Sequence, residues 1–285
     1  MRLAKLYILS IVIVLTFVTS LPASDHKILK YKGGILFSQI TKNDYDNDLY
    51  INNQKIIRWS DSNKYYLVYG IPYATNYGYK ELVVKNQSNN IIKNIHLDIV
   101  DKKYDIQRIN VNKKFIEPDM ATIEKIKKDS KELNKARSIW IDNNPDLFFI
   151  SPVEGTVTGR FGTRRYYNGK EGKYHNGYDI AAPIGTTIVS PSSGKVILIG
   201  DFFYNGKTII IDHGRGLKSL MIHLDDILVK NDQRIKKGQI IGKVGSTGKS
   251  TGPHLHWSVL MNNAYIDPEL LLNRQVIQDL TLEGS

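Results

Sequence analysis

The sequence contains no cysteine among its 285 residues. This absence excludes disulfide bonds, thiolate metal ligands and a cysteine-linked lipid anchor. A chain of this length is nevertheless long enough to bury one large core or two modest ones. Stability must therefore come from packing, and any metal site must use histidine and carboxylate ligands.

Acidic residues are fewer than basic ones. The chain has 28 Asp and Glu against 39 Lys and Arg, which gives a formal net charge of +11. This balance suits anionic partners such as cell-wall polymers, acidic peptides or lipid headgroups, and it equally fits solvated lysine-rich faces. The chain shows no aromatic-basic motif for nucleic acid, so we expect no nucleic-acid partner.

Residues 1–23 have the pattern of a secretory signal. Arg2 and Lys5 precede an uncharged run from Leu6 to Val18, and small residues follow up to Ala23. The run is shorter than the ~20 residues that cross a bilayer, which favours a cleaved signal over an uncleaved membrane anchor. Removal of Arg2 and Lys5 would lower the net charge to +9, two below +11. We therefore expect an exported protein.

Residues 24–117 alternate apolar and polar side chains over short stretches. Examples are residues 34–38, 65–70 and 81–85, separated by clusters rich in Asn and Asp. This pattern predicts an N-terminal antiparallel β-sandwich-like domain. Two histidines lie in it, His26 and His96, and both are interpreted as structural or surface residues.

Residues 118–145 change to a helical period. Apolar residues recur at helical spacing from Asp119 to about Asn143, between Pro118 and Pro145. The pattern predicts one amphipathic helix that connects two domains and turns a lysine-rich face to solvent.

Residues 146–272 are rich in glycine and in short apolar segments, which predicts a second all-β domain. The tail, residues 273–285, supports no assignment. The expected fold class is therefore mainly β: an N-terminal β-sandwich-like domain, a connecting helix and a C-terminal all-β domain.

Five of the seven histidines fall in the second domain. His175 and Asp179 are four residues apart, and Gly177 between them is expected to let the backbone turn so that both side chains face one point. An imidazole and a carboxylate together suit zinc. Taken alone, the spacing is weak evidence, because such a pair often makes only a surface hydrogen bond.

A second motif strengthens the metal hypothesis. His254 and His256 are two residues apart in a strand-like segment, so both imidazoles project from one face. Two adjacent buried imidazoles have little structural value without a counter-ion, whereas a metal site uses both. A catalytic zinc keeps three protein ligands and one open position, and hydrolysis also needs a further base or acid. His223 and His254 are candidates for that work.

Three further segments of the second domain carry a family pattern: Gly206–Gly216, His223–Leu224 and Lys237–His256. Through them, residues 150–270 resemble the lysostaphin-type zinc endopeptidases of bacterial cell walls. The resemblance implies one zinc ion per catalytic domain, bound by His175, Asp179 and His256. It also implies that His223 and His254 act in catalysis and that the substrate is the peptide part of peptidoglycan.

Two departures from the family pattern stand near these motifs. Trp257 occupies a position where many members carry phenylalanine, and we expect it to change only the packing beside the groove. The segment Leu217–Ile222 lacks a threonine and a tyrosine that members often show, which leaves open how that side of the groove is built.

The first domain resembles, more loosely, the β domain that precedes the catalytic module in some Gram-negative relatives. The likeness is carried by residues 32–35, 69–72 and 101–107. It implies a periplasmic D,D-endopeptidase that acts on directly cross-linked stem peptides.

Two alternatives remain open at the level of sequence. The protein could be a non-catalytic wall-binding regulator or activator of other hydrolases, or a zinc peptidase for secreted glycine-rich proteins. A regulatory protein partner is possible, and the oligomeric state is unknown. Arg160 or Arg164 could lie near a stem-peptide carboxylate, although a packed turn with surface arginines is as good an interpretation. For His213, a structural role is favoured over a place at the groove rim.

Overall fold

The computed structural model describes residues 26–28 and 30–282, so the expected signal segment lies outside the described residues. The N-terminal half contains a short helix, α1 (Lys42–Asp46), and these strands: β1 His26–Ile28, β2 Ile35–Gln39, β3 Leu49–Ile51, β4 Gln54–Lys55, β5 Ile57–Asp61, β6 Lys64–Gly70, β7 Gly78–Asn86, β8 Ile91–Ile99 and β9 Ile106–Ile109. Within the described ranges, no helix is both long and apolar enough to cross a membrane.

Eight of these strands form two four-stranded antiparallel sheets. Their orders are β1-β2-β6-β5 and β4-β3-β7-β8. A core of aliphatic side chains and Tyr69 lies between them, so the expected sandwich-like arrangement is confirmed. Strand β2 departs from simple alternation, because Ile35, Leu36 and Phe37 are all buried. Leu36 packs in the core between the sheets, whereas Ile35 and Phe37 pack in a core shared with the second half of the chain.

The second half is built around one large sheet. Its strands are β10 Thr156–Gly159, β11 Arg164–Tyr167, β12 Lys170–Glu171, β13 Tyr178–Ala181, β14 Thr187–Val189, β15 Gly194–Phe202, β16 Gly206–Gly214, β17 Leu217–Ile227, β18 Arg234–Ile235, β19 Ile240–Val244, β20 His254–Met261 and β21 Ala264–Ile266. Ten of them form a single sheet whose main path is β10-β13-β20-β17-β16-β15-β18. Mainly β architecture is therefore confirmed.

The connecting helix is shorter than the apolar period indicated. Helix α2 spans Met120–Ser138, and the Asp119 carboxylate caps it by accepting a hydrogen bond from Thr122 N at 2.7 Å. The helix ends before Trp140 rather than near Asn143. The first turn faces solvent, with Met120 72% exposed, and the later turns pack on the large sheet through Leu133 and Ala136.

The C-terminal tail is helical. Helix α3 spans Glu269–Leu272 and α4 spans Arg274–Leu282. Ile277 and Leu280 of α4 are buried in the core shared by the two halves. Tyr66 of β6 donates a hydrogen bond to the Thr281 carbonyl at 2.9 Å. The tail therefore helps to seal the contact between the halves, a role that sequence periodicity over nine residues did not reveal.

Strand β9 crosses the expected domain boundary. It lies within residues 24–117, yet it pairs in parallel with β11 of the second half, in the sheet β12-β11-β9. A 3-10 helix over Lys113–Phe115 follows it and leads to α2. The segment that leaves the first domain therefore forms the edge strand of a small sheet in the second half. It pairs there because β11 would otherwise have unpaired backbone groups.

The two halves also share buried polar contacts. Gly70 N donates to Asn262 Oδ1 at 2.6 Å, and Asn262 Nδ2 donates to the Gly70 carbonyl at 3.1 Å. A Cβ at Gly70 would lie 2.6 Å from Ile266 Cγ2, so only glycine allows this approach. The first domain is therefore packed closely against the second.

His213 has the structural role that the sequence favoured. It is 4% exposed, its Nδ1 donates to the Ser193 carbonyl at 2.9 Å, and its Nε2 accepts from Ser219 Oγ at 2.8 Å. Trp257 Nε1 donates to the same Ser219 Oγ at 3.1 Å. Trp257 therefore does more than fill space, because its indole completes this network. Burial lowers the pKa of His213 to about 4, which keeps the imidazole neutral.

This network predicts acid sensitivity. The pKa of His213 is 6.5 in the unfolded chain and about 4 in the folded one, so the neutral imidazole makes its full contribution to the free energy of unfolding above pH 6.5. As the pH falls from 6.5 to 4, the free energy of unfolding decreases by about 3 kcal/mol at most. Urea unfolding across this range, with chelator present, should show a steeper loss of stability for the wild type than for His213→Gln. Equal slopes for the two proteins would contradict the assignment.

Candidate metal and catalytic site

Two neighbouring strands set the geometry of the site. Strands β13 and β20 pair antiparallel with Asp179 opposite His256 and Ala181 opposite His254. Opposed residues of an antiparallel pair project to the same face, so the carboxylate and the imidazole meet. His175 lies just before β13, and its amide donates to the Thr163 carbonyl at 2.8 Å.

The three side chains converge in the interior. Nε2 of His175 lies 3.0 Å from Asp179 Oδ1, and Nδ1 of His256 lies 2.7 Å from the same oxygen and 3.0 Å from His175 Nε2. All three residues are buried, and within the described chain they form a group whose ligand atoms lie within 4.8 Å of one another.

The outer nitrogens of both imidazoles are held by oxygen acceptors. His175 Nδ1 donates to the Arg160 carbonyl at 2.8 Å, and His256 Nε2 donates to Ser258 Oγ at 2.8 Å. These bonds direct the lone pairs of His175 Nε2 and His256 Nδ1 inward, which is how metal-binding histidines are oriented.

The charge state of the cluster also suits a cation. Burial lowers the pKa of His256 to about 4, against the opposing effect of Asp179. Burial acts to raise the pKa of Asp179, but hydrogen bonds with His175 and His256 hold it well below its usual value. At neutral pH the cluster therefore presents a neutral His256 imidazole beside a carboxylate, and this donor set fits a divalent metal such as zinc.

Gly177 has a different role from the expected one. Its backbone does not adopt a positive φ. A Cβ there would instead lie 2.6 Å from the Trp257 carbonyl oxygen, 2.7 Å from His256 Nε2 and 2.7 Å from Ser258 Oγ. Glycine is required because His256 and strand β20 pass directly over it.

The structure places His254 beside this cluster. Its Nδ1 donates to the Gly252 carbonyl at 2.8 Å, and its Nε2 lies 3.9 Å from Asp179 Oδ1. His254 is partly exposed, unlike the three buried residues.

His223 reaches the same place through a bulge in β17. Between the pairs Lys207–Leu224 and Ile209–Met221, β17 carries one residue more than β16. His223 has φ +67°, an uncommon conformation for a histidine, and its Nδ1 donates to the Thr247 carbonyl at 2.7 Å. Its ring centroid is 4.9 Å from that of His254. Burial, with smaller effects of His254 and His256, lowers the pKa of His223 to about 3. It is therefore a neutral imidazole at neutral pH.

An arginine that the sequence did not single out contacts the cluster. Arg165 Nη2 forms an ion pair with Asp179 Oδ2, and Arg165 Nε donates to Gln107 Oε1 at 3.0 Å. Gln107 lies opposite Arg165 in the parallel β9–β11 pair.

Arg160 and Arg164, which the sequence offered as candidates for a stem-peptide carboxylate, make other contacts. Arg160 pairs with Glu269 at 2.5 Å and Arg164 pairs with Glu171 at 3.0 Å, all four side chains being exposed. The packed-turn interpretation therefore holds for both. Alternation along β11 could have separated Arg164 from Arg165, but only if the strand had been recognised.

Two adjoining cavities, here called the two halves of the groove, lie beside the histidines. One half has a volume of about 290 Å³ and is lined by Asp179 and His254, and the other has about 460 Å³ and is lined by His175 and His256. Both halves are lined by four further side chains, namely Arg165, Tyr167, His223 and Lys249. A histidine, aspartate and histidine cluster on the floor of a groove is the arrangement of a mononuclear metal hydrolase.

Comparisons with known proteins agree with this class. Residues 173–268 match Peptidase family M23. ShyB, a peptidoglycan DD-endopeptidase of Vibrio cholerae, is 46% identical over 93 residues, which are 33% of this chain and 22% of that protein. ShyA, a second peptidoglycan DD-endopeptidase of Vibrio cholerae, is 38% identical over 129 residues, which are 43% of this chain and 30% of that protein.

A solved structure extends the likeness to most of the chain. It comes from Pseudomonas aeruginosa, carries the peptidase M23 designation and is 29% identical, with a TM-score of 0.68 over 86% of this chain and 95% of that one. The chain spans only 22% to 30% of the length of the two curated relatives. The second half of the chain contains a domain of peptidase family M23, as the sequence motifs indicated.

The outer hydrogen bond of His256 provides a test of the metal fit. We expect Ser258→Ala to weaken zinc binding by about 10- to 100-fold, because the imidazole loses the acceptor that orients it. Competition with a chromophoric chelator measures this affinity. Ser138→Ala, at the exposed end of α2, is the matched control. Unchanged affinity in Ser258→Ala would contradict the orienting role.

Proposed function

We propose that the protein is a zinc-dependent metalloendopeptidase that hydrolyses peptide cross-links of bacterial peptidoglycan. The observation that carries the proposal is the convergence of His175, Asp179 and His256 on the floor of a groove, with His223 and His254 beside them. Membership of the domain in peptidase family M23 and the names of the Vibrio relatives support the reaction and the substrate.

In this proposal His175, Asp179 and His256 bind one zinc ion. When bound, zinc polarises the scissile carbonyl and activates a water molecule at neutral pH. Arg165 takes up the second oxygen of Asp179 and so orients the carboxylate. Three protein ligands of this kind would suit a catalytic rather than a structural zinc.

We assign proton and charge handling to His223 and His254. Each donates its Nδ1 hydrogen to a carbonyl, of Thr247 and Gly252, so each leaves Nε2 free as an acceptor. His254 Nε2, near Asp179, is placed to accept the proton of the attacking water and return it to the leaving amine. His223, a neutral imidazole whose ring centroid lies 4.9 Å from that of His254, would share these proton transfers through its own Nε2.

The finer substrate is a directly cross-linked stem peptide, cut between two D-centres. Both Vibrio relatives are named for DD-endopeptidase activity. The looser likeness of the first domain to Gram-negative relatives favours the same substrate. Since peptidoglycan lies outside the cytoplasm, we place the protein in the periplasm or cell envelope.

Digestion of purified peptidoglycan tests the proposal. The protein with added zinc should release un-cross-linked stem peptides, identified by mass, and both chelation and His175→Ala should abolish the release. Cleavage that persists in His175→Ala would contradict the metal assignment. Zinc binding with no cleavage of peptidoglycan would favour a wall-binding regulator, and cleavage of glycine-rich peptides instead would favour a peptidase of secreted proteins.

The proposed roles of His223 and His254, which carry protons and do not bind the metal, give a separate prediction. His223→Ala and His254→Ala should each retain zinc but lose about 10²- to 10⁴-fold in kcat, the usual range for a general acid or base. His96→Ala, on the surface of the first domain, is the matched control. Zinc content by elemental analysis and the pH profile of kcat are the measurements, and loss of zinc in either variant would overturn the assignment.

A further inference from the structure

Lys249, a cation that lines the groove, has no carboxylate partner among the described residues. Lys249 lies in the loop before β20, and its amide donates to the Tyr204 carbonyl at 2.8 Å. Its ammonium group lies 3.3 Å from the centroid of the Tyr167 ring. The ammonium is thus held by an aromatic face, which restrains its position but does not neutralise its charge.

Lys249 is also close to a second cation. Burial, and then the charge of Arg165, lower the pKa of Lys249 from its usual value. Arg165 is neutralised by Asp179, whereas Lys249 is not neutralised by any described side chain. A divalent ion held by the histidines would add further positive charge. The half-buried groove therefore attracts an anion.

The position of Lys249 limits where that anion can lie. It lines both halves of the groove together with His223, and one half also contains Asp179 and His254. A negative group bound by Lys249 must therefore lie beside the bond that these histidines would act on. In a direct cross-link, the nitrogen of the scissile peptide bond is attached to a D-configured carbon. When that carbon also carries a free carboxyl group, this carboxylate is the negative group nearest to the scissile bond.

We propose that Lys249, held on Tyr167 and adjacent to Arg165, binds the substrate carboxylate on the carbon that bears the scissile nitrogen. This inference rests on the proposed peptidase function and names its substrate class: peptides whose leaving amine carries a free α-carboxylate. Tyr167 fixes the ammonium before the substrate arrives, so little side-chain freedom is lost on binding. The Tyr204 carbonyl fixes the backbone of the same residue.

Two synthetic cross-linked stem-peptide dimers test the proposal. They differ only in whether the carboxyl group next to the scissile nitrogen is free or amidated. The zinc-loaded full chain should cleave the free acid with a kcat/KM higher by about tenfold or more, the usual size of a hydrogen bond to a charged group. Lys249→Met should lose this preference, so that its kcat/KM values for the two dimers become equal, whereas Lys249→Arg should keep the preference.

Lys230→Met is the matched control, because Lys230 is an exposed lysine of the same domain outside the groove. It should keep the preference of the wild type. If the wild-type protein cleaves both dimers equally, or if Lys249→Met keeps the preference, the inference is overturned while the proposed peptidase function stands.

A binding measurement separates this inference from the proposed function. If the zinc-loaded wild type cleaves neither dimer, the proposed function fails, and calorimetric binding of the two dimers then decides the inference. Tighter binding of the free acid by the wild type, lost in Lys249→Met, supports the carboxylate site. Equal binding of both dimers by the wild type overturns it.

Discussion

The register of strands β13 and β20 is the constraint on which the site depends. Asp179 faces His256 only in this register, and a slip of one residue would turn every side chain of β20 to the opposite face. Leu255 and Trp257, which flank His256, are fully buried in the core. A slip would therefore remove a tryptophan from the interior as well as a histidine from the cluster, so core packing and site geometry enforce the same pairing.

The chain has no cysteine, so hydrogen bonds rather than disulfide bonds hold its histidine rings in place. His175, His213, His223, His254 and His256 each have one ring nitrogen bonded to a backbone carbonyl or a hydroxyl group. A buried imidazole without such a partner would be costly, so each bond both stabilises the ring and selects its tautomer. In the site, this selection directs the remaining nitrogens of four rings toward one groove.

The first domain contributes to the groove through its exit segment. Strand β9 pairs with β11, and Gln107 contacts Arg165, which in turn contacts Asp179. The two halves are also joined at other points, by Ile35 and Phe37 of β2, by the Asn262–Gly70 pair and by helix α4. The first domain is therefore part of the structure that supports the site.

Local spacing allowed the chemistry to be predicted before the fold was known. His175 and Asp179, and His254 and His256, are close in sequence, so the directions of their side chains follow from one turn or one strand. The mainly β architecture and the existence of helix α2 were predictable for the same reason. Arg165 and Lys249 were not, because each acquires its role from residues far along the chain.

By itself, the sequence determined the donor types, the strand alternation that pairs His254 with His256, and the likeness to wall peptidases. Only the tertiary structure decided that the bulge in β17 brings His223 to His254, that Gly177 makes room for His256, and that the tail is a buried helix. The physical reason is that spacing within one element sets the direction of a side chain. Which elements become neighbours is set by the burial of surfaces that are distant in sequence.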